Sequence, residues 1–157
     1  MFVVDASSLL VVSDLCSGNQ ARASSVFDEM YRLARLGQLG FPSCVPAVCS
    51  SFDTANFAAS WAAPVHDGLR IRSVDHSLQT DVLLACNDLS DAGTDDDEEV
   101  QVELMAYALF FSNRGDQVTL VTEEIAPLPF RKSIAQAAGD MGMSVLTMQQ
   151  FMLLRGL

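Results

Sequence analysis

Phe2-Val3-Val4 runs without polar alternation straight into Asp5, and Gln117–Thr122 (QVTLVT) runs the same way into Glu123-Glu124. A strand with one wet face alternates apolar and polar residues. A strand buried on both faces reads as a continuous apolar run, with its polar groups gathered at its carboxyl end. Burial on both faces requires helices on either side of the sheet. This one feature therefore points to an α/β chain with a parallel sheet and excludes an all-β sandwich with a wet face.

The intervening segments carry helical periodicity. Ser17-Gly18-Asn19 caps a helix whose apolar stripe is Phe27, Met30, Tyr31 and Ala34, and Gly37 and Gly40 end it. A short apolar piece at Leu39–Phe41 leads through Pro42 to a helix over Val45–Ala59, closed by Pro64. Leu69–Val74 reads as a short strand or extended segment, and Leu78–Asp88 as a helix with Val82, Ala85 and Leu89 inward. After an acidic loop at Ser90–Asp97, a helix of about Glu98–Asn113 turns Val102, Met105, Ala106 and Leu109 inward and stops at Arg114-Gly115-Asp116. Ser133–Met141 is a helix ended by Gly142, Ser144–Leu146 a strand, and Met148–Leu154 a last short helix. Strands and helices alternate throughout, which predicts a single domain over 1–157. Its architecture is a three-layer α/β/α sandwich with a mainly parallel central sheet.

Composition narrows the function classes. No run of about 18 uncharged apolar residues exists, and no basic stretch precedes an apolar one at the start, so no membrane span and no signal peptide are expected. A cytoplasmic protein is the default expectation. Cys16, Cys44, Cys49 and Cys86 form no C-x-x-C pair, and His66 and His76 are the only histidines, so free buried thiols are expected rather than a zinc cage. The net charge is −11, but eight acids fall within 88–103, leaving twelve acids against nine bases elsewhere. No basic face is evident, which weighs against nucleic acid as a partner. Arg131-Lys132 is the only adjacent basic pair; it reads either as a phosphate contact or as a surface pair. Trp61 and the phenylalanines read as core or interface, not as base-stacking platforms.

Functional groups in parallel sheets collect where strands end and helices begin. Those ends carry Asp5 and Glu123-Glu124, and the helix after the acidic loop adds Asp97, Glu99 and Glu103. Glu99 and Glu103 are four apart and share a face. Carboxylates converging on one edge repel unless a cation sits among them, and hard ions such as Mg²⁺ or Mn²⁺ take oxygen ligands and can activate water. No glycine-rich phosphate loop and no serine–histidine pair is present.

Phe2–Leu10 (FVVDASSLL) resembles the opening strand of PIN-domain nucleases, in which hydrophobics precede D-x-S/T. Asp97–Glu124, ending RGDQVTLVTEE, is similar to that family's acidic helix, glycine turn and L-V-T-x-[D/E] strand. The alanine-rich helix, M-G-M-S-V-L-T and closing helix resemble its last βα unit, so the likeness spans essentially the whole chain. It implies a PIN-like fold and an Mg²⁺- or Mn²⁺-dependent ribonuclease, in many cases the toxin of a toxin–antitoxin pair, with RNA as substrate and an antitoxin protein or a second copy as partner. Asp5 would be a metal ligand oriented by Ser7. Glu124 would fill the acidic position after Thr122, with Glu123 able to stand in. Counting along the helix lands on Gln101, so Glu99, Glu103 or Asp97 would have to supply the remaining carboxylate. The family's glutamate after the second strand is also replaced, by V-P-A-V-C-S-S-F, and no acid follows until Asp53. These departures open an alternative: a weakly active or inactive module that works by protein–protein binding. A phospho-acceptor domain of the receiver type is disfavoured, because Lys132 is the only lysine.

Overall fold

The computed structural model describes residues 1–52, 57–89 and 97–157, and of residues 97–99 the backbone alone. Four short strands form one all-parallel sheet: β1 (Phe2–Val4), β2 (Leu39–Gly40), β3 (Thr119–Val121) and β4 (Ser144–Leu146), in the order β2-β1-β3-β4. The ladder aligns Val4 with Val121 and Val121 with Leu146. Val3, Val4, Leu120 and Val121 are completely buried, as the unbroken apolar runs require. The chain is therefore α/β with a parallel sheet, compatible with a three-layer sandwich.

Helices fill the connections: α1 (Ala6–Leu10), α2 (Val12–Leu15), α3 (Gln20–Arg35), α4 (Cys44–Phe52), α5 (Phe57–Asp67), α6 (His76–Ala85), α7 (Asp97–Asn113), α8 (Ile134–Asp140) and α9 (Met148–Arg155). The ends follow local chemistry. Asn19 caps α3 by accepting from Arg22, while Ser133 and Thr147 each close a capping box on α8 and α9. Gly142 and Gly156 take left-handed φ of 72° just past the helices they follow. α7 packs against β1, α4, α6 and α8 and is buried on all sides through residues 104–108. The single stripe of Val102, Met105, Ala106 and Leu109 expected from the sequence is corrected: Leu104, Tyr107 and Ala108 are buried too, and Leu109 is only partly so.

Several sequence expectations are corrected. Of the helix expected over Val45–Ala59, the described residues form α4 up to Phe52 and α5 from Phe57. α5 runs on to Asp67, so Pro64 lies inside it instead of closing it. Pro64 and Ser60, four residues earlier, are both exposed. The carbonyl that loses its N–H partner therefore faces water, which removes most of the cost of an interior proline. In α3 the buried stripe is Val26, Phe27, Met30 and Leu33, and Tyr31 is 46 % exposed at its margin. In α6 Ala85 faces solvent, and the next residue, Cys86, takes the inward position. Residues 70–75 are extended without a strand, held where the Tyr107 hydroxyl donates to the Ile71 carbonyl at 2.8 Å. The acidic loop from Ser90 and the Asp53 position lie outside the described residues.

All four cysteines are free and buried. Trp61 stacks in a tilted cluster with Phe27 and Phe41, so it serves the core as expected. Among the described residues no helix is long and apolar enough to cross a membrane.

Candidate functional site

The carboxyl end of the sheet is built around Asp5. Its backbone extends the ladder by donating to the Val121 carbonyl at 2.9 Å, and its side chain then turns to cap α1. Oδ1 accepts from the Ala6 N–H at 2.7 Å; Oδ2 accepts from Ser7 Oγ at 2.5 Å and Thr122 Oγ1 at 2.9 Å. Asp5 is buried to 8 % exposure. Burial raises its carboxyl above the usual aspartate range; the bonds from Ser7, Thr122 and Ala6 oppose that rise, and the charge of Glu124 adds to it. Asp5 is thus the cap of α1 as well as the residue that ends β1. A carboxylate offers about four acceptor directions. Three of those of Asp5 are filled.

Glu124 is filled completely. Arg131 clasps it in a fork, Nη1 to Oε1 at 2.7 Å and Nη2 to Oε2 at 3.0 Å. The Ile134 N–H donates to Oε1 at 2.9 Å, and Gln101 Nε2 donates to Oε2 at 3.1 Å. Glu124 therefore anchors the first turn of α8 and neutralises Arg131. Its neighbour does the same for the next helix: Glu123 Oε1 accepts from the Met148 N–H at 2.8 Å, at the start of α9, and more weakly from Ser8 Oγ at 3.4 Å. The backbone N–H of Glu123 donates to Ser7 Oγ at 3.1 Å, tying the two strand ends together.

Across from them, α7 presents Gln101 and Glu103. Gln101 is 9 % exposed, and its Oε1 is buried with no hydrogen-bond partner among the described residues. Glu103 is half-buried and accepts from Ser43 Oγ at 3.0 Å, at the entrance to α4. From α4, the Cys44 thiol is pushed up by burial and then by the charge of Glu103. Cys49 is pushed up to about 12 by burial and then by the charge of Asp5. Both are inert thiols at neutral pH.

Asp5, Ser7, Thr122, Glu123 and Glu124 are thus joined at one edge. Gln101 reaches them from α7, whereas Glu103 is bonded to Ser43. The side chains of Asp97 and Glu99, and Asp53, lie outside the described residues. Among the described residues, no three histidine, cysteine, aspartate or glutamate side chains stand close enough to share a metal ion.

Two roles were not legible in the sequence. Gln101 falls at the inward helix position, yet an amide there signals nothing by itself. Arg131 and Lys132 read as one basic pair, but they separate: Arg131 turns to Glu124, and Lys132 pairs with Asp140 at 2.8 Å. No family model matches the chain, and no curated protein matches it.

Proposed function

We propose that this chain is a PIN-like domain that acts by binding another protein, its carboxylate centre having been turned from a metal site into a structural one. The saturated carboxylate of Glu124 carries this reading. All four of its acceptor directions go to Arg131, Gln101 and Ile134, so a cation could use it only by displacing a forked guanidinium. Gln101 occupies the helix position where the family resemblance calls for an acid. An amide contributes no charge against a hard cation. The described donor set therefore fits Mg²⁺ or Mn²⁺ poorly, and no catalytic step is drawn through either ion.

Phe130, Leu84 and Phe52 leave large apolar side chains 81 %, 80 % and 75 % exposed, each available to a protein partner. The net charge of −11 argues in the same direction, because it would repel RNA phosphates and attract a basic peptide. The test is to assay RNA cleavage with Mn²⁺ and to recover partners from the host by affinity capture. Metal-dependent cleavage that disappears in Asp5→Asn would overturn the reading.

One observation favours a second reading, the Mg²⁺- or Mn²⁺-dependent ribonuclease. Asp5 keeps one acceptor direction, and burial makes its negative charge costly, a cost that a bound cation would relieve. On that reading, Mn²⁺ raises the thermal stability of the wild type but not of Asp5→Asn.

A further inference from the structure

At the opposite ends of the strands from Asp5 lies a cleft of about 370 Å³, between the end of α3, the extended segment after α5 and the end of α7. This volume lies within the roughly 300–1,000 Å³ range of small-molecule sites. Its walls divide into two kinds. Leu36, Ile71 and Phe111 give an apolar side, while Arg70, Arg114 and Asp116 give a polar one.

The two guanidiniums mark the cleft out. The protein carries nine bases against twenty acids, yet two of its arginines line this single cleft. Among the described residues neither forms an ion pair, as is true of Arg22, Arg35 and Arg72 too, whereas Arg32, Arg131, Lys132 and Arg155 are paired. Arg114 is steadied by lying 5.4 Å from the centroid of the Phe110 ring, a contact that leaves its N–H groups available. The cleft is also held open by the fold. The Tyr107 hydroxyl pins the Ile71 carbonyl at 2.8 Å, and Gly40 leaves room for that hydroxyl, since a Cβ there would stand 2.5 Å from it.

We propose that this cleft binds a small amphipathic anion, with its apolar body on Leu36, Ile71 and Phe111 and its carboxylate between Arg70 and Arg114. The two arginines outnumber Asp116, so charge complementarity selects an anion over a cation or a neutral body of the same shape. The apolar wall selects against a bare anion. The site is independent of the carboxylate centre and does not rest on the binding reading given above.

The probe is octanoate, followed by backbone amide NMR on the full chain, with octanamide and inorganic phosphate as comparisons. Octanoate is expected to shift the amides of Ile71 and Phe111 and to bind about tenfold more tightly than octanamide, the difference that charge-assisted hydrogen bonds supply. Arg70→Gln and Arg114→Gln, both at exposed positions, should each weaken octanoate about tenfold while leaving octanamide unchanged. Equal affinity for octanoate and octanamide would overturn the proposal, as would phosphate binding as tightly as octanoate. Shifts confined to other surfaces, or no saturable binding, would also overturn it.

Discussion

Arg131 grips both carboxylate oxygens of Glu124, at 2.7 and 3.0 Å, in a pair whose side chains are only 16 % and 20 % exposed. The pair links the end of β3 to the start of α8, because Ile134 donates to the same carboxylate. An acid that reads in the sequence as a ligand is thereby committed to holding two elements together.

Removing the guanidinium should show that commitment. Arg131→Gln leaves a half-buried carboxylate with two donors, and it should destabilise the fold by about 2–3 kcal/mol, somewhat less than breaking a fully buried pair. Chemical denaturation measures the loss. A variant as stable as the wild type would mean that the fork is incidental.

The same substitution has a chemical consequence. Arg131→Gln combined with Gln101→Asp removes three of the four donors to Glu124, leaving the Ile134 N–H, and adds a second carboxylate facing it. This double variant should gain a Mn²⁺-dependent rise in Tm that either parent lacks. Its absence would show that a cation is excluded by geometry and not by Arg131 and Gln101.

Asp5 gives a pH-dependent prediction. Its carboxyl is raised above the ordinary 3.8, chiefly by burial. A raised acid in the folded state favours the protonated form. Its contribution is fully present below the unfolded pKa and is lost as pH rises through the folded value. Asp5→Asn escapes that loss, so the stability of the variant relative to the wild type should climb between acid and neutral pH. Denaturation midpoints across that range test the sign.

Glu29 behaves in the opposite sense. Hydrogen bonds from Arg32 and then Arg155 hold its carboxyl down, from the ordinary 4.5 to about 2. The contact with Arg155 joins α3 to α9, at 2.6 Å. A lowered acid stabilises above its unfolded pKa and loses that contribution as pH falls through the folded one. Docking of α9 should therefore weaken between about pH 4.5 and 2, and in Glu29→Gln that change should be missing from hydrogen exchange of α9.

Much of the frame was legible because it depends on short-range patterns. The apolar runs at Val3-Val4 and Leu120-Val121 announce buried parallel strands, and β4 lies where Ser144–Leu146 was read. The run of α5 past Pro64 to Asp67 was not legible, since a proline on a solvent-facing turn leaves the same apolar pattern as one that stops a helix. At the site, residue types located Asp5, Glu123 and Glu124 at strand ends. They could not disclose the donors each would meet, because Arg131, Gln101, Ile134 and Met148 come from three different helices or the segments leading into them.

On the proposed reading this carboxylate centre serves structure, not metal-dependent cleavage. The most direct measurement is the thermal stability and RNA turnover of the wild type and Asp5→Asn, with and without millimolar Mn²⁺. A structural centre predicts no Mn²⁺-dependent change in Tm and no RNA loss in either protein. A Mn²⁺-induced rise in Tm together with RNA cleavage in the wild type, both abolished in Asp5→Asn, would contradict it.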